Sequence, residues 1–392
     1  MTIRDWLEGL SYKLVQGSLD VEVNEVVYDS RKAAPGAVFV CMKGTKIDSH
    51  DFVGQVTDAG VKVLVTEHAV EAPADVTVVE TANGREALAL LSAARFGYPS
   101  RKLTMIGVTG TKGKTTTTHM IKTILETAGK KTGMIGTNGV YIGEEHFPTV
   151  NTTPESYDLH RYFAKMVEEG CACCVMEVSS QAMKMHRVAG IHFNYGLFTN
   201  ISPDHIGKDE HADFAEYLYY KKQLFAQSKR ALVNVDDEHI EEIVKDIPCP
   251  WTGFGLKEGA GFQAENIHYV SEPDFVGVEF DIKGEHQIPV RVSIPGKFNV
   301  YNALAAAAVT LWVGVPADKL QHALEHLKIN GRMEIVYTSE KCCVIVDYAH
   351  NAVSMESLLE TLREYHPKRL VVVFGCGGNR SKDRRYSMGE IG

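Results

Sequence analysis

The chain has 392 residues, 44% of them hydrophobic, with 41 Lys plus Arg against 50 Asp plus Glu and a formal charge of -9. That excludes wholesale disorder, argues against a nucleic-acid surface, which needs clustered basic charge, and suits two or three domains of about 100–200 residues each. No uninterrupted apolar stretch reaches the roughly 18 residues of a membrane span, and Asp5 stands where a signal peptide would build its apolar core, so a cytoplasmic protein with neither membrane nor nucleic-acid partners is expected.

In chain order, the first region runs to the turn-rich Gly97–Ser100. Short strands are predicted at Ala37–Cys41, Val61–Thr66 and Val76–Val79, and helices at Asp51–Gly60 and Arg85–Phe96. This alternation suggests a small α/β domain. The second region opens with the apolar run Leu103–Val108. A helix follows over Thr116–Ala128, where Met120, Ile121, Ile124, Leu125 and Ala128 recur at helical spacing. Buried strands are predicted at Cys171–Val178, Leu197–Thr199 and Ala231–Asn234, with helices at Asp213–Ser228 and Asn302–Trp312. Strands joined by helices give a mostly parallel sheet covered on both faces. Phe262–Val292 reads as an added hairpin layer. The third region starts near Gly331, with strands at Val344–Asp347 and Leu370–Phe374 and a helix at Met355–Tyr365. Domains are therefore expected over residues 1–98, 99–330 and 331–392. Cys171, Cys173, Cys174, Cys342 and Cys343 lie in apolar runs, which predicts reduced core thiols in buried strands rather than a metal or redox site.

The strongest chemical signal is Gly110-Thr111-Lys112-Gly113-Lys114-Thr115-Thr116, between a strand and a helix. Glycines let backbone N–H groups close around phosphates, Lys114 reaches the outer phosphates, and Thr115 offers a hydroxyl to Mg²⁺. The position of the usual first glycine is Val108. Glu177, in Met176–Ser180, ends a buried strand, where α/β sheets bind ligands; it suits Mg²⁺ or, equally, a cap or ion pair. His205, leaving another strand end after Phe198–Asp204, could share that metal or be structural. Asn151–Pro154 is a polar loop opening a helix at Glu155, suited to anion contacts or to a plain N-cap. Asp29–Arg31, Gly296–Asn302, Gly331–Glu334, Asp347–His350 and Gly375–Arg380 are individually weaker candidates.

Taken together and in this order, these segments resemble the Mur ligases of peptidoglycan synthesis, within them the UDP-N-acetylmuramyl-tripeptide synthetases. The resemblance covers essentially the whole chain. Asp29-Ser30-Arg31, followed by Pro35–Val40, is similar to the UDP-binding first domain of that branch, which folylpolyglutamate synthetases lack. The resemblance implies a three-domain α/β architecture: a central P-loop ATPase sheet, a small N-terminal α/β UDP-binding domain and an incomplete Rossmann-like C-terminal domain. It implies that ATP phosphorylates the terminal carboxylate of UDP-N-acetylmuramoyl-L-alanyl-D-glutamate. The amine of a diamino acid, meso-diaminopimelate before L-lysine, then displaces phosphate. Such chemistry demands charge neutralisation and in-line positioning.

Carried over residue by residue, Lys114, Glu177, His205 and Lys221 would be catalytic. Thr115, Glu177, His205 and Lys221 would hold Mg²⁺, Lys221 after carbamylation by CO₂, since an ammonium has only donors. Read from this sequence alone, Lys221 is a surface lysine on a Lys-rich helix. Gly110 to Thr116, Asn302, Arg332 and Asp347 would bind ATP. Ser30, Thr45, Thr152, Thr153, Ser179 and Arg187 would contact the UDP-sugar peptide, and Arg385 the incoming amino acid. A monomer is the family expectation. The sequence departs from the family pattern at Arg384-Arg385-Tyr386, at Asn351-Ala352-Val353 and at Met185, and the acceptor-reading motif Asp-Asn-Pro-Arg is not found. A longer enzyme is expected, of which this chain would keep UDP-substrate binding, bind ATP less tightly and ligate poorly. Two other readings stand beside this one. A UDP-sugar-binding protein without catalysis would have lost Lys114, Glu177 or His205. A P-loop NTPase of another kind would not need a UDP-binding first domain.

Overall fold

The structure, a computed structural model, describes residues 1–44, 47–207, 210–376 and 382–392. The first region is a five-stranded sheet of β1 (Tyr12–Gln16), β2 (Glu25–Val27), β3 (Ala37–Val40), β4 (Val63–Thr66) and β5 (Thr77–Thr81), in the order β1-β5-β4-β3-β2. All neighbours are parallel except β1 and β5. Side chains alternate between faces. Val38, Val40, Val63, Val65 and Val79 pack with Leu88 and Leu91 of the helix Gly84–Arg95, while Phe39, Leu64 and Val78 pack with Val53 and Val56 of the helix Val53–Asp58. Both faces are covered, which is why β3 and β4 read as continuous apolar runs.

The second region is one eleven-stranded sheet. Its strands are β6 (Thr104–Thr109), β7 (Thr132–Gly136), β8 (Gly139–Ile142), β9 (Glu145–Phe147), β10 (Cys173–Glu177), β11 (Phe193–Phe198), β12 (Ser228–Asn234), β13 (Trp251–Gly255), β14 (Phe262–Glu272), β15 (Phe275–Gly284) and β16 (Ile288–Val292). The order is β16-β15-β14-β13-β12-β11-β6-β10-β7-β8-β9. From β14 to β7 every neighbouring pair is parallel; antiparallel strands finish both ends. Phe262–Val292 is thus not a separate layer. β14 pairs with β13 at Phe254–Phe262, and the hairpin extends the same sheet. The helices Lys114–Thr127 and Lys297–Trp312 lie against it, and the run Ala303–Ala308 is wholly buried, small side chains admitting close helix packing.

In the third region β17 (Glu334–Thr338) and β18 (Cys343–Val346) form a two-stranded ribbon, followed by the helices Ala352–Arg363 and Lys382–Ile391. Two expectations are corrected here. Leu370–Phe374 is not a strand, because no strand among the described residues runs beside it to share hydrogen bonds; Leu370 and Val372 pack near Met355 and Leu359 while Val371 and Val373 face outward. Cys342 and Cys343 are exposed rather than core, because a two-stranded ribbon leaves its side chains uncovered. Cys171, Cys173 and Cys174 are buried free thiols, as expected. No helix among the described residues is long and apolar enough to cross a membrane.

His160, on the helix Ser156–Glu168, is fully buried, and neither ring nitrogen meets a hydrogen-bond partner among the described residues. Burial pushes its pKa down to about 3. His119 is pushed down to about 4, by burial first and then by the charges of Lys122 and Arg332. Both rings stay neutral in the folded state, while in the unfolded chain they protonate near pH 6.5. Protons therefore bind the unfolded state first as pH falls, so this stability is full above about pH 6.5 and lost progressively toward about pH 4 and 3. The expected melting temperature falls between about pH 6.5 and 4, with a shallower fall in His160→Leu. An unchanged slope in that variant would assign the acid sensitivity elsewhere.

Candidate active site

β6 ends at Thr109, between the carboxyl ends of β10 and β11, and the chain turns through Gly110–Gly113 into the helix Lys114–Thr127. Gly110 has φ +143° and Gly113 φ +85°. A Cβ at Gly110 would collide with Thr199 Oγ1, and one at Gly113 with Asn302 Oδ1, so only glycine lets this backbone pass. The first N–H groups of that helix have no intrahelical partner, an arrangement suited to an anion. Lys114 Nζ donates to the carbonyls of Gly110 at 2.8 Å and Thr111 at 3.2 Å. Burial lowers its pKa, and the charges of Glu177 and Asp204 oppose that shift.

Lys221 is 2% exposed and donates to the same Gly110 carbonyl at 2.7 Å. Its pKa is held well below the usual lysine range, first by burial and then by the charge of Lys114. The surface-lysine reading is therefore corrected. The helix Phe214–Ala226 turns Lys221 inward, and it is Lys222 that reaches out to the carbonyls of Glu242 and Lys245.

Glu177 is buried at the end of β10. Its Oε1 accepts from Thr115 Oγ1 and from Thr137 N, both at 2.9 Å, and its Oε2 from Thr137 Oγ1 at 3.2 Å. Three hard oxygen donors beside the P-loop form a set that fits Mg²⁺. Thr137 was not singled out in the sequence. Its signal was the run Thr132–Gly136 ending on glycine, where a Cβ at Gly136 would meet Glu177 Oε1.

Next to the P-loop lies a cavity of about 520 Å³, bounded by Lys112, Gly113, Thr116 and Asn302 on one side and by Arg332 and Asp347 of the third region on the other. Asn302 joins Asn299 at 3.0 Å and Thr117 at 3.3 Å. Asp347 accepts from the backbones of Met333 and Ala349, both at 2.8 Å. Asp236, on the same wall, accepts from Tyr301 at 2.9 Å and was missed in the sequence, where nothing marks it beyond a strand end.

On the far side of Glu177, buried Thr153 donates to the Glu177 carbonyl at 2.9 Å, and its hydroxyl accepts from Ser179 N at 3.1 Å. Arg187 pairs with Glu155 at 2.8 Å and donates to the Thr153 carbonyl at 3.1 Å. Thr152 Oγ1 is 3.1 Å from Thr137 Oγ1. Thr152, Thr153, Ser179, Arg187, Glu177, Thr115 and Lys114 are thus brought together. Ser30 opens a short turn after β2 in the first domain, capped by Asp29, and Thr45 lies outside the described residues. His205 is exposed, hydrogen-bonded through Nδ1 to Glu210 at 2.8 Å, and no contact among the described residues joins it to Glu177. Arg385 is exposed on the helix Lys382–Ile391.

Among the described residues, the cluster with spacing for a metal ion is Asp48–His50–His68. His50 Nε2 accepts from Glu67 N at 2.9 Å, which leaves the proton on Nδ1, donated to Asp48. A cation at Nδ1 would have to displace that proton, the only one on the neutral ring, and leave an imidazolate, so the cluster reads as a hydrogen-bonded chain rather than a metal centre.

A strand–P-loop–helix unit with a buried carboxylate at the neighbouring strand end defines a phosphate-handling enzyme. Profiles of three families match the chain: Mur ligase family, catalytic domain, over residues 22–96; Mur ligase middle domain, over 108–310; and Mur ligase, glutamate ligase domain, over 331–392. The chain is 39% identical to the UDP-N-acetylmuramoyl-L-alanyl-D-glutamate--2,6-diaminopimelate ligase of Clostridium perfringens, covering 100% of this chain and 81% of that protein. It is 41% identical to ligase 1 of the same name from Clostridium acetobutylicum, with the same coverage. A solved structure of a UDP-N-acetylmuramoyl-L-alanyl-D-glutamate--2,6-diaminopimelate ligase superposes with a TM-score of 0.82 at 23% identity, over 100% of this chain and 80% of that one. The Thermotoga maritima MurF ligase in complex with ADP gives 0.59 at 20% identity, over 94% and 82%. The chain belongs to the Mur ligase family of ATP-dependent, amide-bond-forming ligases.

Proposed function

We propose that the protein joins 2,6-diaminopimelate to the D-glutamate of UDP-N-acetylmuramoyl-L-alanyl-D-glutamate, in cytoplasmic peptidoglycan precursor synthesis. The observation that carries this reading is the buried Thr115–Glu177 pair beside Lys114, set between the cavity of about 520 Å³ and the Thr153–Ser179–Arg187 group. The two sides suit a nucleotide and an acidic peptide. Residues 1–98 with Ser30 and Thr45 would hold the UDP moiety, 99–330 the reacting groups, and 331–392 with Arg385 the acceptor.

Asn302, Arg332 and Asp347 would orient ATP, and the N–H groups of Gly110–Thr116 with Lys114 would bind its phosphates. Thr115, Glu177, His205 and carbamylated Lys221 would hold Mg²⁺, which when bound neutralises phosphate charge. Burial keeps the Lys221 amine neutral enough to add to CO₂: a C–N bond forms, a proton leaves, and the product is an anion with oxygen donors. Arg187 would pair with the substrate carboxylate in exchange for Glu155. That carboxylate takes the γ-phosphoryl group, ADP departs, and the acceptor amine then attacks the acyl carbon and expels phosphate.

The test is a panel of meso-diaminopimelate, L-lysine and L-ornithine with ATP, Mg²⁺ and the UDP-dipeptide. Expected is tripeptide formed one-for-one with ADP and fastest with diaminopimelate. ATP hydrolysis indifferent to the UDP-dipeptide would instead mark a P-loop NTPase of another kind. UDP-dipeptide binding with no ADP release would mark a binding protein.

A further inference from the structure

The segment between β11 and the helix Phe214–Ala226 is anchored twice. Its first half is tied to the P-loop: Lys112 N donates to Asn200 Oδ1 at 2.9 Å and Ser202 N to Thr111 Oγ1 at 3.1 Å. Its second half is tied to the short helix Ser180–Lys184 that follows Glu177. There His211 is 1% exposed, while the other described residues from Pro203 to Asp213 are exposed. Its Nε2 lies 2.9 Å from Ser180 Oγ, itself buried. Its ring sits against those of Tyr217 and Tyr220, at 5.3 and 5.7 Å.

Between the anchors stands His205, with φ +52°, a conformation uncommon for a non-glycine residue, whose neighbours help to hold it. Those neighbours include His211, whose N–H donates to the His205 carbonyl at 3.1 Å and whose own carbonyl accepts from Gly207 N at 3.0 Å. Lys184 makes a second tie, donating to the Glu210 carbonyl at 2.9 Å and pairing with Glu216 at 2.9 Å, but it is partly exposed and therefore weak. The buried His211–Ser180 bond is the stronger, because breaking it leaves a polar atom without water or partner.

We infer that His211, through Ser180, is a positioning residue that keys the His205 loop to the strand end carrying Glu177. This rests on the ligase reading, in which His205 and Glu177 serve one cation. Ser179 and Arg187 are held separately, by Thr153 and Glu155, so the UDP-substrate contacts do not depend on this tie.

The test compares His211→Ala, His211→Gln and Ser180→Ala in the full chain. Mn²⁺ binding is read by electron paramagnetic resonance in the presence of a non-hydrolysable ATP analogue, and steady-state kinetics are measured alongside. Loss of outer-shell support costs roughly 10–100-fold in metal affinity or activity. His211→Ala is expected to weaken Mn²⁺ binding and lower kcat in that range, with KM for the UDP-dipeptide within about twofold. Ser180→Ala should match it, the double variant should be no worse than either single one, and His211→Gln, whose amide reaches the position of Nε2, should recover most of the loss. A purely structural residue would lower the melting temperature while folded protein still bound Mn²⁺ normally, and that result overturns the inference. So does a His211→Gln as impaired as alanine. If the parent protein forms neither tripeptide nor acyl phosphate, the ligase reading fails, and the Mn²⁺ titrations still decide on His211.

Discussion

Lys114→Ala is expected to lower acyl-phosphate formation by about 10³-fold or more, the scale on which phosphoryl transfer depends on its charge-stabilising groups, while UDP-dipeptide affinity stays nearly intact. Lys114 Nζ is buried against two P-loop carbonyls, where its charge is costly until phosphate arrives to pair with it. Removing it takes away attraction that grows as charge shifts on the transferring phosphoryl group. Among the described residues the Lys114 amine bonds to the carbonyls of Gly110 and Thr111, whereas Thr153 and Arg187, proposed to touch the UDP-dipeptide, bond to the carbonyls of Glu177 and Thr153. Borohydride trapping of the acyl phosphate reads the first quantity, and calorimetric titration of the UDP-dipeptide the second. Equal loss of both would count against the P-loop assignment.

The second large effect belongs to Lys221. If Lys221 carries the proposed carbamate, Lys221→Ala is expected to reduce kcat about 10²–10³-fold, with part of the activity returning in short carboxylic acids such as formate or acetate, small enough to enter the space vacated and supply oxygens. The variant should still fold, since the Gly110 carbonyl that Lys221 bonds keeps Lys114 as a donor. Full activity at limiting Mg²⁺, or a crippled variant that no carboxylate restores, would remove Lys221 from the metal site. Lys222→Ala is the control: its amine sits at the surface on two carbonyls, and its loss should change little.

Both effects depend on a juxtaposition that local sequence only half reveals. The glycines, Lys114 and Thr115 were legible as a unit because a phosphate loop is contiguous, built from the turn between one strand and one helix. Glu177 was legible as a strand end but not as the partner of Thr115 and Thr137. Those contacts exist because β10 lies between β6 and β7, and strand order is set by packing across the whole sheet rather than by any run of residues. The buried lysine was misread for a related reason. Tyr219-Tyr220-Lys221-Lys222 carries two adjacent cations, and only the docking of that helix on the P-loop distinguishes them.

By itself, then, the sequence determined the α/β class, the phosphate loop with its flanking strand and helix, the buried thiols of β10 and the order of segments that resembles the Mur ligases. Each of these follows from short-range periodicity or from contiguous residues. Tertiary structure alone decided the rest. The hairpin Phe275–Val292 became part of the main sheet because β14 found β13 as its neighbour. Leu370–Phe374, with the same apolar character as a strand, did not become one because no partner among the described residues offers it a hydrogen-bonded edge. His211 gained its place from a serine 31 residues away. Helices close their own hydrogen bonds and leave a local trace; strands, buried charges and clamps are completed by distant groups, and their identity is written only in the folded chain.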